Sequence, residues 1–311
     1  MIRYLKHTEV DTKRWDDCIS RSLNRRVYAY SWYLDLVCPG WDALVEDDYT
    51  DVFPLTHNRK MGIRYLFQPY FTQQLGLFSA ERISGDKLSN FLHAIPPTFR
   101  FAEIQLNDQN QVATGEGILK TRVNHELSIA CNYEELSGKF SQNTRRNIRK
   151  AKELQVTTSC NVSPDELISL FRENFGDREG KLQQGHYDTM KSLIVYGLEH
   201  GMGHLEGVFD KDGVLCSAAF FLFDGDHAYF LFAASGKQAR ENGAMFMLID
   251  RFLKENAGNY RLLDFEGGND ANLGRFYKSF GADEVPYPAI YINRLPGPIN
   301  SLLYFVRKLR Q

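Results

Sequence analysis

The stretch 206–235 decides the fold, and it reads EGVFD, KDG, VLCSAAFFLF, DGD and HAYFLFAAS in that order. Short turns of the Asp-Gly type separate three runs that are rich in aromatic and apolar residues. Such a pattern is typical of strands that are joined by tight hairpins. The sequence therefore predicts a three-stranded antiparallel meander here.

Helices and further strands are predicted on both sides of this meander. After it we expect a helix over 240–256, a strand over 261–266, a short helix over 273–279 and a strand over 289–294. The first of these helices is amphipathic, because apolar residues recur at the spacing of one helical face: Met245, Leu248, Ile249 and Phe252. Upstream, a second helix is predicted over 187–200. It is preceded by a helix that opens with a capping box at 163–166 and has the apolar residues Leu167, Ile168, Phe171 and Phe175.

The first half of the chain shows the same order of elements in weaker form. DVFPL at 51 aligns with VLCSA at 214, an offset of 163 residues, and FAEIQ at 101 aligns with LLDFE at 262, an offset of 161. Two anchors that agree this closely favour a duplicated fold, although any two α/β halves could be aligned in this way. We expect an α/β (α+β) protein in which each domain is a mixed, mostly antiparallel sheet flanked by helices. The predicted domains are 1–135 and 136–296, followed by a C-terminal helix over 297–311.

Composition excludes several classes of protein. The chain has 311 residues and 43% hydrophobic content, as expected for a globular protein of two domains. Its net charge of -2 gives no overall positive electrostatic potential that would attract DNA. Its five cysteines include no CxxC pair, so neither a metal site nor a disulfide framework is expected. The apolar runs are too short for a membrane span and no signal-peptide pattern is present, which predicts a cytoplasmic protein. Motifs of P-loop enzymes, dinucleotide-binding dehydrogenases and serine hydrolases do not occur.

The loop between the meander and the following helix is a candidate phosphate site. Residues 237–244 read KQARENGA. A helix N-terminus that follows such a loop offers backbone N–H groups and the positive end of the helix dipole to an anion. Lys237 and Arg240 add positive charge at this point. A plain connection without a ligand is the alternative interpretation.

The segment 269–282 carries a resemblance to a known family. It reads NDANLGRFYKSFGA, in which Asn269 precedes a short helix that contains Tyr277, and Gly281 follows Tyr277 by four residues. This pattern resembles the C-terminal motif of the GNAT acyltransferase superfamily. The apparent duplication is similar to the tandem GNAT-like pair of the Fem peptidyltransferases and their acetyltransferase-like relatives.

Two further stretches, SQNTRRNIRKAKELQV (141–156) and DFEGGN (264–269), are also similar to parts of Fem-like proteins. One position departs from the superfamily. Its phosphate loop usually ends in Gly or Ala, whereas here the run that starts with Arg240-x-x-Gly243 ends in Met245. The resemblance therefore covers the whole architecture but leaves the standard pose of an acyl-CoA open.

The resemblance implies an acyl donor, either a thioester of coenzyme A or an ester of tRNA, whose carbonyl lies against the strand 228–234. Backbone N–H groups of that strand would stabilise the developing oxyanion. We expect Tyr277 to protonate the leaving thiolate, with a core aromatic as its alternative role, and Glu266 to accept the proton of the amine, with turn capping as its alternative role. No metal is implied, and the expected contacts of the acyl-CoA are Phe232, Ala233, Ala234, Lys237, Arg240, Gly243, Ala244 and Asn269.

The acceptor is expected to be an amine of a small molecule or a peptide, bound between the two domains. Arg145 and Arg149 belong to a run of six basic residues without an acid over 139–152. Clustered arginines suit the phosphate oxygens of a nucleotide-linked substrate or of tRNA, although the same run also describes a solvated helix. Gln73, in an aromatic and amide-rich loop over 68–76, is a third candidate substrate contact, with a purely structural loop as the alternative.

Three functions are compatible with these features. The favoured one is an N-acyltransferase that uses acetyl-CoA or another acyl-CoA. The second is a Fem-like, aminoacyl-tRNA-dependent transferase that acts on a cell-wall precursor; the Fem family usually carries a long helical hairpin arm, and this chain has no charged heptad run of that length. The third is a non-catalytic binding protein of the same fold, with which Met245 in the phosphate loop is consistent.

Overall fold

The computed structural model describes residues 1–112, 118–173 and 182–295. Its contacts divide the chain into two compact units, one formed by Met1–Arg122 together with the chain from Pro286 onward, the other by Val123–Val285. The chain thus divides after Arg122 and again after Val285, whereas the sequence predicts divisions after residues 135 and 296. The helix predicted over 297–311 and the helical residue Phe175 lie outside the described residues.

Fourteen β-strands are present in the described residues. They are β1 Ile2–Leu5, β2 Asp42–Glu46, β3 Asp51–Leu55, β4 His57–Lys60, β5 Ile63–Leu66, β6 Phe78–Ser79, β7 Phe99–Gln105, β8 Ile118–Ser128, β9 Thr157–Ser159, β10 Gly203–Phe209, β11 Leu215–Asp224, β12 His227–Ser235, β13 Leu262–Asp264 and β14 Asp283–Asn293.

Ten α-helices are present in the same residues. They are α1 Thr12–Arg21, α2 Ser31–Val37, α3 Gly85–Ala94, α4 Tyr133–Gly138, α5 Gln142–Glu153, α6 Pro164–Phe171, α7 Gln184–Glu199, α8 Ala239–Asn242, α9 Ala244–Asn256 and α10 Ala271–Lys278.

The first unit contains two sets of paired strands. One has the order β1-β2-β3-β6 and the other the order β4-β5-β7-β14, in which β5 and β7 run parallel. The strand predicted over 289–294 is present as part of β14, and it pairs antiparallel with β7, with Ile290 opposite Ile104. Both of these side chains belong to a core that also includes Leu44 and Phe53 from the other sheet and Phe91 from α3. Burial of this shared apolar surface stabilises the unit.

The second unit is built on a sheet with the order β8-β13-β12-β11-β10-β9, where only β12 and β13 are parallel. The predicted meander is confirmed as β10, β11 and β12, which pair antiparallel in sequence. Successive residues of a strand point to opposite faces of a sheet. Accordingly, Phe220 packs beside Gly197 of α7, while Phe221 stacks on Phe252 of α9. Helices therefore cover both faces of this mostly antiparallel sheet.

Local signals explain where the helices begin and end. The capping box at α6 is confirmed: Ser163 and Glu166 bond reciprocally across the first turn, and Pro164 occupies a first-turn position that needs no N–H. The single helix predicted over 240–256 is instead two helices, because Gly243 adopts a left-handed conformation with φ of 71° and separates α8 from α9. The long helix consequently starts at Ala244.

Within the three described ranges, no helix combines the length and the apolar character that crossing a membrane requires. Nor do those ranges bring three or more His, Cys, Asp or Glu side chains together in a group that could hold a metal ion.

The core of the second unit gives a first testable prediction. Phe221 is fully buried, and its ring lies 3.8 Å from that of Phe252 at an angle of 5°. We expect Phe221→Ala to lower the free energy of unfolding by about 3–5 kcal/mol, because it removes an aromatic side chain from a closely packed core. Chemical denaturation measures the change. Val214→Ala, at an exposed position in the same hairpin, is the control and should cost less than about 0.5 kcal/mol; a similar loss in both variants would contradict the core assignment.

Candidate active site

β12 has an open edge in its second half. Its parallel pairing with β13 ends at Tyr229 and Asp264, whereas its antiparallel pairing with β11 continues as far as Ser235. Past this point the chain after β13 turns away into the loop that leads to α10. Within the described residues, β11 is therefore the strand that pairs with the second half of β12, and β13 does not extend along its other side.

A β-bulge lies at the start of this open edge. Phe220 of β11 is opposite Phe232, and its neighbour Phe221 is opposite Phe230, so that Leu231 is the extra residue. Beyond the bulge, Gly236 N–H donates to Cys216 O at 2.8 Å.

Amide directions in the open edge follow from that hydrogen bond. Hydrogen-bonded and non-hydrogen-bonded pairs alternate along an antiparallel ladder. The N–H groups of Phe232 and Ala234 therefore point to β11, while those of Ala233 and Ser235 point to the open edge. Of the three strand residues predicted to contact an acyl donor, Ala233 is the one whose N–H faces this edge.

After β12 the chain passes through residues 236–243, called the pinned loop here because contacts with its neighbours hold it in place, and then enters α9. The left-handed Gly243 approaches α5 so closely that a Cβ atom there would stand 2.5 Å from Asn147 O. Asn242 is buried; its Nδ2 contacts Cys216 Sγ at 3.1 Å and its Oδ1 accepts the N–H of Ala244 at 3.0 Å. These contacts fix where α9 begins.

The start of α9 is suited to an anion. The first N–H groups of any helix lack partners within the helix, and here those of Met245 and Phe246 follow the capped Ala244. Lys237, in the loop before α8, and Arg240, within α8, are both exposed. Backbone donors, the helix dipole and two cationic residues thus belong to the short segment that links the open edge of β12 to α9.

Glu266 occupies a strained position two residues after the end of β13. Its φ of 60° lies in the left-handed region, which costs a residue with a side chain about 1–2 kcal/mol. The buried Asp264 carboxylate accepts the N–H of Glu266 at 2.8 Å and the Nδ2–H of Asn124 at 2.8 Å. Asn124 Oδ1 in turn accepts the N–H of Gly267 at 3.1 Å. Backbone conformations of this kind persist where the surroundings hold them, and they are concentrated at functional sites.

Tyr277 is a buried residue of α10, with 7% of its surface exposed. Its ring stacks on that of Phe265, with 4.5 Å between the ring centroids. The centroid of Phe265 is in turn 5.9 Å from that of Phe230, at the bulge of β12. Burial raises the pKa of the Tyr277 phenol well above its usual range, and the carboxylates of Glu266, Asp264 and Asp270 act in the same direction. The phenol therefore stays protonated at neutral pH. The ring of Phe265 lies between Tyr277 and the bulge of β12.

The remaining predicted contacts lie elsewhere. Asn269 is exposed, and its Oδ1 accepts the N–H of Val123 at 3.2 Å. Arg145 donates to Gly138 O at 2.7 Å, and Arg149 lies 3.8 Å from Glu153. Gln73 belongs to the first unit, where its Oε1 accepts a hydrogen bond from Gln74 at 2.7 Å. The substrate-binding roles of these residues stay predictions.

The orientation of α5 determines which of its basic residues lie on the side of the helix that faces Gly243. At about 100° per residue, Arg145 and Arg149 point roughly 160° away from Asn147, whose backbone contacts Gly243. Arg146 and Lys150 lie within about 100° of Asn147. The basic residues nearest to the loop are therefore not the pair singled out by the sequence pattern.

Sequence patterns did not indicate Asn124, Asn147 and Asn242, which hold the backbone of the candidate site. Asn124 is 140 positions from the carboxylate it binds, and Asn147 acts through its main chain. No periodicity or short motif encodes such contacts. The pair Asn242-Gly243 is the one local signal that could have indicated this boundary between two helices, since both residue types favour helix ends.

Known structures share this fold over nearly the full chain. The structure of FemX is 15% identical, covers 96% of this chain and 99% of its own, and has a TM-score of 0.65. A tandem GNAT protein from the clavulanic acid biosynthesis pathway is 9% identical, with coverages of 96% and 100% and a TM-score of 0.56. L-PGS from Bacillus licheniformis is 11% identical, with coverages of 94% and 96% and a TM-score of 0.54. At these identities the likeness establishes the fold.

The sequence itself matches one family model. A search of curated proteins finds no match. Residues 138–279 match the model described as an acetyltransferase (GNAT) domain, and this segment contains β12, the pinned loop, Glu266 and Tyr277. The expected tandem GNAT-like architecture is confirmed by the structural neighbours. The chain thus contains a GNAT acetyltransferase-type domain within residues 138–279, and its fold is similar to that of FemX and of the tandem GNAT protein.

Proposed function

We propose that this protein is an N-acyltransferase that takes an acyl group from an acyl-CoA and passes it to a primary amine. The observation that carries the proposal is the open edge of β12, which begins at the bulge at Leu231 and leads through residues 236–243 to the start of α9. An extended donor with a reactive thioester at one end and phosphates at the other matches such an arrangement.

The phosphates of the donor would bind at the start of α9. The N–H groups of Met245 and Phe246 would donate to the phosphate oxygens there, and Lys237 and Arg240 would add charge-assisted donors. Met245 at the position where the superfamily has a small residue is compatible with this, because a helix binds an anion through its backbone. Asn242 and Gly243 keep those N–H groups in place.

The transfer itself needs three contributions. The amine nitrogen attacks the thioester carbon, the C–S bond breaks, and the new C–N bond forms. An N–H group at the open edge of β12 would stabilise the oxygen that becomes negative during this step. Glu266 would accept the proton that the amine loses, and the protonated phenol of Tyr277 would supply a proton to the leaving thiolate.

Turnover tests the proposal. The wild-type protein is incubated with acetyl-CoA and a panel of primary amines that contains free amino acids, polyamines and a dipeptide, and the released CoA thiol is measured. We expect amine-dependent thiol release together with the acetylated amine, detected by mass spectrometry. Thiol release that no amine increases would contradict N-acyl transfer to this class of acceptor.

The charges of the loop give a second prediction. We expect Lys237→Gln with Arg240→Gln to raise the Kd for acetyl-CoA about tenfold and to make it less dependent on salt, because two charge-assisted contacts to phosphate are lost. The control is Lys254→Gln. Lys254 is an exposed lysine of α9, about 15 Å from the start of that helix. Isothermal titration at two salt concentrations distinguishes the variants. Equal affinities would remove the loop from the donor site.

A tRNA-linked donor is the second candidate, since α5 presents several exposed basic residues and its Asn147 touches the loop at Gly243. Binding of this kind weakens steeply as salt rises. Filter binding with aminoacyl-tRNA at 50 and 200 mM salt tests it: affinity that is absent at low salt would eliminate the tRNA alternative.

A further inference from the structure

His125 in β8 is fully buried and lies between two glycines of the candidate site. A Cβ atom on Gly268 would stand 2.0 Å from its Nδ1, and one on Gly274 would stand 3.1 Å from its Cε1. Gly268 follows Glu266 in the loop after β13, and Gly274 is in the first turn of α10. The absence of side chains at both positions therefore lets the imidazole ring pack against the loop and the helix at once.

His125 also holds the backbone on both sides of Glu266. Its carbonyl oxygen accepts the N–H of Phe265 at 3.0 Å, and its Nδ1 lies 3.1 Å from Gly267 O. A carbonyl oxygen can only accept, so Nδ1 must carry the hydrogen in this contact. Asn124, the preceding residue, accepts the N–H of Gly267. Two consecutive residues of β8 thus fix the left-handed conformation that Glu266 adopts.

The same ring faces the second candidate catalytic residue. The ring centroids of His125 and Tyr277 are 5.8 Å apart, with the planes tilted by 53°. On its far side, His125 Nε2 lies 3.8 Å from Glu284 Oε1, a carboxylate that is paired with Lys278 of α10. The imidazole is therefore enclosed by the loop that carries Glu266 and by the helix that carries Tyr277.

We propose that His125 is a positioning residue for acyl transfer, which sets the distance between Glu266 and Tyr277 by donating a hydrogen bond to Gly267 O. This inference rests on the proposed function. His125 acts through the loop and through α10, because its side chain is enclosed by them. Small displacements of reacting groups cost rate far more than they cost binding of a remote part of the substrate.

Two substitutions of similar size separate this role from plain packing. Asn places its Nδ2–H where the imidazole has Nδ1–H, so His125→Asn keeps the donor, while His125→Leu removes it. Both lose the outer part of the ring. A difference between them therefore reports the hydrogen bond to Gly267 O rather than the lost volume.

The experiment measures kcat, the KM for acetyl-CoA and the melting temperature with the amine that gives the fastest wild-type turnover. We expect His125→Leu to lower kcat on the order of 100-fold with an unchanged KM for acetyl-CoA, and His125→Asn to restore kcat to within about threefold of wild type. Val208→Ala, a buried residue of β10, is the control that should lower the melting temperature without changing kcat. If His125→Leu yields no folded protein, His125→Val, which is also close to Asn in size and also lacks a donor, takes its place in the comparison.

The outcomes separate this inference from the function on which it rests. Equal kcat values for His125→Asn and His125→Leu in an active protein would overturn the positioning role alone. A larger KM for acetyl-CoA with an unchanged kcat would do the same, since it would place His125 in donor binding. A wild-type protein that transfers no acyl group to any amine of the panel would overturn the proposed function, and this inference with it.

Discussion

Tyr277→Phe is expected to lower kcat for acyl transfer about 100-fold while leaving the fold intact, because it removes only the phenolic hydroxyl that would protonate the leaving thiolate. The stack of the ring on Phe265, which anchors α10 in the core, remains. Steady-state turnover and circular dichroism measure the two properties. Tyr277→Leu is the structural control: it should also lower the melting temperature, because the aromatic stack is lost.

The dependence of this effect on pH follows from the environment of the phenol. Burial and three nearby carboxylates raise the pKa of Tyr277, so its protonated form is retained as pH rises through the neutral range. The ratio of wild-type to Tyr277→Phe kcat should consequently be constant between about pH 6 and 9, a range below the usual tyrosine pKa. An unchanged kcat in Tyr277→Phe would leave Tyr277 with the role of a core aromatic, the alternative that its stacking on Phe265 also fits.

Gly243→Ala is expected to weaken acetyl-CoA binding at least tenfold, which corresponds to about 1.4 kcal/mol. A methyl group at this position would stand 2.5 Å from Asn147 O, a backbone atom of α5 that cannot rotate away. The loop must shift, and the N–H groups at the start of α9 shift with it. Isothermal titration with acetyl-CoA measures the loss.

The matched control for this variant is Gly258→Ala. Gly258 follows the other end of α9 with a φ of 78°, close to the 71° of Gly243, but a Cβ atom there would meet nothing nearer than Cys131 O at 3.9 Å. Both substitutions carry the cost of a left-handed alanine, so any loss of binding that is confined to Gly243→Ala comes from the displaced loop. Equal affinities in the two variants would refute the placement of the donor at α9.

Local patterns predicted the elements of this protein well. The meander of β10, β11 and β12 and the capping box at Ser163 were readable because hairpin turns and helix caps are determined by a few neighbouring residues. The motif around Tyr277 likewise lies within one short segment. These features depend on interactions between residues that are close in the sequence.

The details that build the candidate site depend on distant residues. The predicted helix over 240–256 is interrupted because Gly243 has to pass α5, and that contact joins positions almost 100 residues apart. The strand predicted over 289–294 pairs with β7 in the first unit, a choice of partner that strand propensity does not determine. The sequence does not indicate a role for His125, because a single histidine in a strand forms no recognisable pattern. Its meaning comes from Gly267, Gly268 and Gly274, which only the fold brings to it.

The most direct test of the central claim is the melting temperature of the wild-type protein as acetyl-CoA is added. A donor that binds only the folded protein stabilises it by about 2.7 kcal/mol at 100 times its Kd, so we expect a melting temperature that rises steadily with the logarithm of the acetyl-CoA concentration. The same titration of Gly243→Ala should give a smaller rise at every concentration. A melting temperature that stays constant up to millimolar acetyl-CoA would contradict acyl-CoA binding at β12 and α9.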